Sequence, residues 1–116
     1  MLTVYGIPNC GTVKKARQWL VDHEVDFAFH DFKKQGVPQD TLARWADAVG
    51  VETLVNRKGT TWRALPPDAQ AACVSREGAL AQLAATPSLI KRPVLDDGQA
   101  VTVGFDEAAY RTRLGR

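Results

Sequence analysis

What this chain lacks narrows it first. Its 116 residues hold only two cysteines, Cys10 and Cys73, too few for a disulfide scaffold or a four-thiolate zinc site. Its two histidines, His23 and His30, have no metal-ligand spacing, so no bound metal is expected. No apolar run approaches the ~20 residues that cross a bilayer, which excludes a membrane-spanning helix. The opening Met1-Leu2-Thr3-Val4-Tyr5-Gly6 lacks a basic stretch followed by a long apolar one, so no secretory signal is expected. The 15 Lys+Arg exceed the 13 Asp+Glu by a formal charge of only +2, which argues against direct nucleic-acid binding. There is no glycine-rich phosphate loop, no paired-carboxylate motif and no internal repeat.

What is there has the bulk of an ordinary globular protein. With 45% hydrophobic and 24% charged residues the chain is not a disordered one. Its length suits a single domain, 1–116, expected to be cytoplasmic and monomeric.

Periodicity organises the chain into three parts. Residues 2–6 are short and β-branched and run into Gly6 and Pro8, which predicts a strand entering a loop. Over 11–22, Val13, Ala16 and Leu20 fall at helical spacing. Val25, Phe27 and Phe29 then alternate with polar or small residues, predicting a strand over 25–30 parallel to the first. The middle reads as a helical insert at about 37–86. Leu42, Trp45, Ala46 and Val49 make one face closed by Gly50, a helical turn follows at 51–55, another piece at 68–73, and Ser75 caps a helix through Leu80 and Leu83. Strand character returns over 88–95, Asp97-Gly98 signals a hairpin, and Val101, Val103 and Phe105 alternate. Asp106 then caps a last helix carrying Tyr110 and Leu114. The order βαβ, helical insert, ββα is α/β and that of a thioredoxin-like fold.

The chemistry points to Cys10, in Ile7-Pro8-Asn9-Cys10-Gly11-Thr12-Val13-Lys14 between a strand and a helix. A thiol there meets the free N–H groups and partial positive charge of the helix start. Lys14, one turn on, can present an ammonium on the same face. Such surroundings bring cysteine pKa values to roughly 3.5–7.5, and the thiolate is the nucleophile in disulfide exchange. The alternative is a small buried packing residue, the reading taken for Cys73 among its alanines. Position 13 is Val, so Cys10 has no dithiol partner in its own motif. Asn9 either orients the loop or caps the helix. Trp19, Trp45 and Trp62 read as packing residues. The polar run Thr60-Thr61-Trp62-Arg63 offers a flank for a peptide-like ligand.

Several short motifs carry a family resemblance. Cys10-Gly11-Thr12, Asn56-Arg57-Lys58-Gly59 and Ile90-Lys91-Arg92-Pro93 resemble the signature points of the ArsC/Spx family of arsenate reductases and thiol-redox regulators. Tyr5-Gly6-Ile7, Thr12-Val13-Lys14-Lys15-Ala16, Gly59-Thr60-Thr61-Trp62-Arg63 and Lys91-Arg92-Pro93-Val94 resemble its YffB-type branch. The resemblance implies a thioredoxin fold with a helical insert, Cys10 as nucleophile, and glutathione or a glutaredoxin-type partner as reductant. It implies that Arg57 and Arg92 act at the thiolate and that Pro93 is in a cis peptide; Asn9, Lys14, Lys91, Pro93, Thr60 and Trp62 are the candidates for stabilising the thiolate or binding substrate. It departs from the arsenate reductases where Lys14 replaces an arginine and where Val103-Gly104-Phe105 holds no third arginine. A Cys-x-x-Cys redox switch of the Spx kind is forbidden by Val13. The expected function is therefore a glutathione-dependent thiol reductase. Arsenate reduction and a non-catalytic, RNA polymerase-binding regulator are the alternatives.

Overall fold

The computed structural model describes residues 2–116. The elements, in chain order, are β1 (Thr3–Gly6), α1 (Gly11–Asp22), β2 (Ala28–Asp31), α2 (Phe32–Gln35), α3 (Gln39–Val49), α4 (Val51–Leu54), α5 (Thr60–Ala64), α6 (Pro67–Ala72), α7 (Arg76–Ala85), a 3₁₀ turn (Pro87–Leu89), β3 (Val94–Asp96), β4 (Val101–Val103) and α8 (Glu107–Leu114). They form two compact units. One joins the chain up to Asp31 with Arg92–Arg116; the other is Phe32–Lys91.

The first unit carries a four-stranded sheet in the order β2-β1-β3-β4. β1 and β2 are parallel, with Val4 opposite Phe29, as a strand–helix–strand crossover requires. β3 runs antiparallel to both β1 and β4. α1 buries Val13, Ala16, Trp19 and Leu20, the stripe its spacing predicts. Ala16, Trp19 and Leu20 form the core with Val4, Leu95 and Tyr110. Each leucine removed from water there contributes about 1.5–3 kcal/mol. Trp19 meets Tyr110 edge to face, and His23 stacks on Trp19 and donates through Nδ1 to its carbonyl at 2.8 Å. That histidine is structural.

The 97–98 turn and α8 lock the sheet's far edge. The Asp97 carboxylate accepts from the Gln99 and Ala100 N–H groups and closes the turn. Arg113 of α8 donates to Leu95 O, Ala100 O and Thr102 Oγ1, joining the helix to both strands of the hairpin. Asp106 caps α8 by accepting from the Ala108 N–H, as its position predicts.

The second unit is helical, apart from an isolated bridge between Val55 and Ile90. α3 packs against α4 and α7, and α7 against α6 and the 3₁₀ turn. Phe32, Leu42, Trp45, Leu54, Leu83, Leu89 and Cys73 are buried in it. Ser75 caps α7 by accepting from the Gly78 N–H. The insert expected at about 37–86 thus lies within a helical unit somewhat longer than predicted.

Two strand predictions need correction. β2 begins at Ala28 and not at Val25, because the chain is still leaving α1: the Val25 N–H donates to Leu20 O, and Glu24 has φ 57°. Val25 and Phe27 still pack on the core, which is why their alternation reads as a strand. The run over 88–95 is also not continuous. Its first part is wound into the 3₁₀ turn, with the Ile90 N–H on Pro87 O, and hydrogen-bonded strand starts only beyond Pro93, which has no N–H to give. The short helices α2 and α5 were not marked by the apolar pattern. No helix among the described residues is long and apolar enough to cross a membrane.

Candidate functional site

Cys10 occupies the N-cap position of α1, with extended backbone (φ −79°, ψ 129°). Its N–H donates to Ile7 O at 3.1 Å, and its carbonyl accepts the first intrahelical bond, from the Lys14 N–H at 2.9 Å. The end of β1 comes very close to α1 here: a Cβ placed on Gly6 would stand 2.8 Å from Val13 Cγ2. Only glycine allows that approach, which sets where the loop after β1 delivers the cysteine.

The sulfur is half-buried and its pKa lies below the ordinary thiol value. Partial burial opposes ionisation, but four effects together outweigh it. In decreasing order these are the influence of the Val13 N–H, that of the Arg92 guanidinium as donor, that of the Thr12 N–H, and the Arg92 charge. Val13 and Thr12 are the third and second residues of α1, whose N–H groups have no intrahelical acceptor. No side chain caps α1, so both N–H groups are left free to favour the thiolate. Arg92 comes from the other end of the unit, just before β3, and the Arg92–Pro93 peptide is cis, as expected. Pro93 is buried, and its carbonyl accepts from the Gly104 N–H at 2.8 Å.

The remaining expected residues are placed as follows. Asn9 is exposed in the turn closed by the bond between Cys10 and Ile7, and no side-chain hydrogen bond caps α1, so the capping role does not hold. Lys14 is exposed and lines a hollow with Arg17, Gln18, Val21 and Phe27, so the cation acting on Cys10 is Arg92. In the helical unit, Arg57 and Lys91 line one hollow with Glu52, Asn56 and Lys58. The Arg57 guanidinium lies 5.5 Å above the Trp62 ring. Trp62 is half-buried under that charge, unlike the buried Trp19 and Trp45. Thr60 lines a different hollow, with Thr61, Thr86 and Ser88.

Cys73 packs, as its surroundings in sequence suggest. It is buried, donates through Sγ to Ala69 O at 3.5 Å, and burial pushes its pKa up against the opposing charge of Arg57. Among the described residues no three His, Cys, Asp or Glu side chains are grouped as a metal site would need. The N–H groups of Thr12 and Val13 are the free main-chain donors that the start of α1 was expected to offer Cys10.

Comparison with known proteins agrees with this architecture. The sequence model of the ArsC family matches residues 5–113, through both units. A solved structure named the YFFB (PA3664) protein superposes with a TM-score of 0.92 at 42% identity, over 97% of each chain. An arsenate reductase (ArsC) related protein from Brucella melitensis is 45% identical with a TM-score of 0.76, over 99% of this chain and 95% of that one. A protein of Streptococcus pyogenes named global transcriptional regulator Spx is 31% identical, over 100% of this chain and 87% of its own length.

Proposed function

Because the chain belongs to the ArsC family, we propose that it is a thiol reductase working through one nucleophilic cysteine, Cys10, with glutathione as reductant. The observation that carries this reading is the single thiol at the start of α1 with its pKa held down by Arg92 and two N–H groups. Val13 removes a resolving cysteine from the motif, so an outside thiol must complete the cycle.

The Cys10 thiolate attacks the glutathione sulfur of a mixed disulfide. The new S–S bond joins Cys10 to glutathione, and the other sulfur leaves with the electron pair and takes a proton. A second glutathione thiolate then attacks the Cys10-bound glutathione sulfur. Oxidised glutathione departs and the Cys10 thiolate returns. In sum, one glutathione thiol is consumed: the substrate sulfur leaves as a thiol, and the disulfide passes to oxidised glutathione. Arg92 and the N–H groups of Thr12 and Val13 stabilise the thiolate as nucleophile and again as leaving group. Arg57, with Lys91 on the same hollow, is proposed to take a carboxylate of glutathione, a geometry suited to guanidinium. Asn9, Pro93, Thr60 and Trp62 are proposed to shape the substrate's path. The reaction is placed in the cytoplasm, where glutathione keeps thiols reduced, in a monomer.

Two other readings have a specific observation behind them. Similarity to the Brucella protein favours arsenate reduction, which the lack of an arginine at positions 14 and 103–105 weakens. Similarity to the Streptococcus regulator favours a non-catalytic adaptor that binds RNA polymerase. Mass spectrometry after exposure to oxidised glutathione tests the main reading. A single adduct on Cys10, removed by reduced glutathione, is expected. An unmodified Cys10, with partner binding retained in Cys10→Ser, would instead establish the adaptor.

A further inference from the structure

α1 turns Val13, Ala16, Trp19 and Leu20 inward, but its outer side is not uniformly polar. Lys14, Arg17, Gln18 and Val21 line a shallow hollow with Phe27. Val21 is 60% exposed, and among the described residues Val74 is the only other large apolar side chain so open to solvent. A lone exposed valine is ordinary. This one adjoins Phe27 and two cations that have no carboxylate within ion-pair distance among the described residues. Arg17 is held with its guanidinium 4.1 Å above the Phe29 ring, which fixes a positive charge on this face.

The same helix carries the nucleophile at its start, and Lys14 lies on its first turn. At about 1.5 Å per residue, Val21 stands roughly 16 Å along the axis from Cys10. A tripeptide disulfide held at Cys10 does not cover that length; a polypeptide does.

We propose that this face of α1 is a docking surface for protein substrates, seating an acidic, apolar-edged segment of a protein whose cysteine carries glutathione. The inference rests on the thiol-reductase reading and adds the class of substrate. Acidic groups meet Lys14 and Arg17 and speed encounter, while an apolar side chain covers Val21 and Phe27. The bond changes are those given above, with the protein sulfur as leaving group. Two cations, with the carboxylate of Asp22 accepting from Gln18 at the end of the same helix, are too sparse a match for a nucleic-acid backbone or an anionic bilayer.

The test uses three glutathione mixed disulfides: a cysteine peptide flanked by Asp, Glu and Leu, one flanked by Lys and Leu, and that of mercaptoethanol. The acidic peptide is expected to exceed the basic one in kcat/KM by about tenfold or more at low salt, with the advantage falling several-fold by about 0.3 M. Arg17→Glu and Val21→Asp, checked for folding by circular dichroism, each abolish the preference and leave mercaptoethanol–glutathione turnover within about twofold. No preference, or one that both substitutions leave intact, overturns the proposal. Binding of a fluorescent acidic peptide with Ser in place of Cys reads the surface without any chemistry. Its absence, or preferential binding of duplex DNA or anionic vesicles, also overturns it. Binding without turnover of any disulfide sinks the reductase reading and leaves the surface standing.

Discussion

The Arg92 guanidinium hydrogen-bonds the Cys10 sulfur, joining the start of α1 to the residue before β3. Of the groups that favour the thiolate, this is the one a single substitution removes cleanly, since the Val13 and Thr12 donors are main chain. Arg92→Ala is expected to raise the Cys10 pKa and slow its alkylation near neutral pH by about three- to tenfold. Arg92→Lys restores part of the effect through charge without the planar fork. Ultraviolet thiolate absorbance against pH measures both, with Lys14→Gln moving the midpoint less than Arg92→Ala. An Arg92→Ala midpoint equal to the parent's would remove Arg92 from the site.

The two cysteines differ in their pH linkage. Cys10 has a folded pKa below its unfolded one, so its stabilisation is fully present above the unfolded thiol pKa and fades as pH falls through the folded one. Cys73 has a raised pKa, so its contribution is present below the unfolded value and fades as pH rises through the folded one. Urea melts of Cys10→Ser and Cys73→Ala against the parent should show gaps that widen and narrow, respectively, as pH rises through the thiol range. Cys73→Ala keeps the glutathione adduct on Cys10 and costs about 1 kcal/mol of packing. Gaps that move together with pH would show that the two thiols do not have opposite environments.

Much of this was legible in the sequence, for identifiable reasons. α1 was readable because Val13, Ala16 and Leu20 repeat at helical spacing beyond a Gly- and Pro-bearing loop, and the hairpin because Asp97-Gly98 fits only a tight turn. β2 was misplaced because Val25 and Phe27 bury apolar surface without pairing, and periodicity reports burial and not hydrogen bonding. α5 went unseen because none of its residues is buried, so it has no apolar stripe to read. Cys10 could be picked out by its place before a helix. The contact from Arg92 came only through family resemblance, since no spacing rule links residues brought together by sheet pairing.

Arg113 is expected to matter for stability and not for thiol chemistry. It is mostly buried and supplies hydrogen bonds to Leu95 O, Ala100 O and Thr102 Oγ1. Arg113→Met leaves those acceptors unmet and should cost about 2–3 kcal/mol in urea unfolding, with Cys10 reactivity in the native state unchanged. Its 3.6 Å pairing with Asp97 adds a pH dependence. The Asp97 carboxyl is held below the usual range by the Ala100 and Gln99 N–H groups, with a smaller part from Arg113. Its stabilisation is therefore present above the unfolded carboxylate pKa and lost as pH falls through the folded one. The stability gap between parent and Asp97→Asn should narrow over that acid range; a constant gap would contradict the turn-closing role.

The close approach of Gly6 to Val13 gives the sharpest test of how the fold places the nucleophile. A methyl group on Gly6 would lie 2.8 Å from Val13 Cγ2 and 3.1 Å from Cγ1, both on a side chain wholly buried in α1. Val13 has little room to yield, because β-branching restricts its rotamers. Gly6→Ala must therefore push the end of β1 away from α1, at about 1–3 kcal/mol of overpacking. Because the displaced segment leads directly into the turn before Cys10, the same substitution should raise the thiol's pKa by disturbing the donors that face its sulfur. Val13→Ala alone leaves a small cavity, costing about 1–2 kcal/mol. Combined with Gly6→Ala it removes the clash, so the double variant should be more stable than the sum of the two losses predicts, by about 1 kcal/mol or more. Urea unfolding and thiolate titration on all four proteins decide it: additive losses, or recovery of stability without recovery of the thiol's pKa, would show that this contact does not position Cys10.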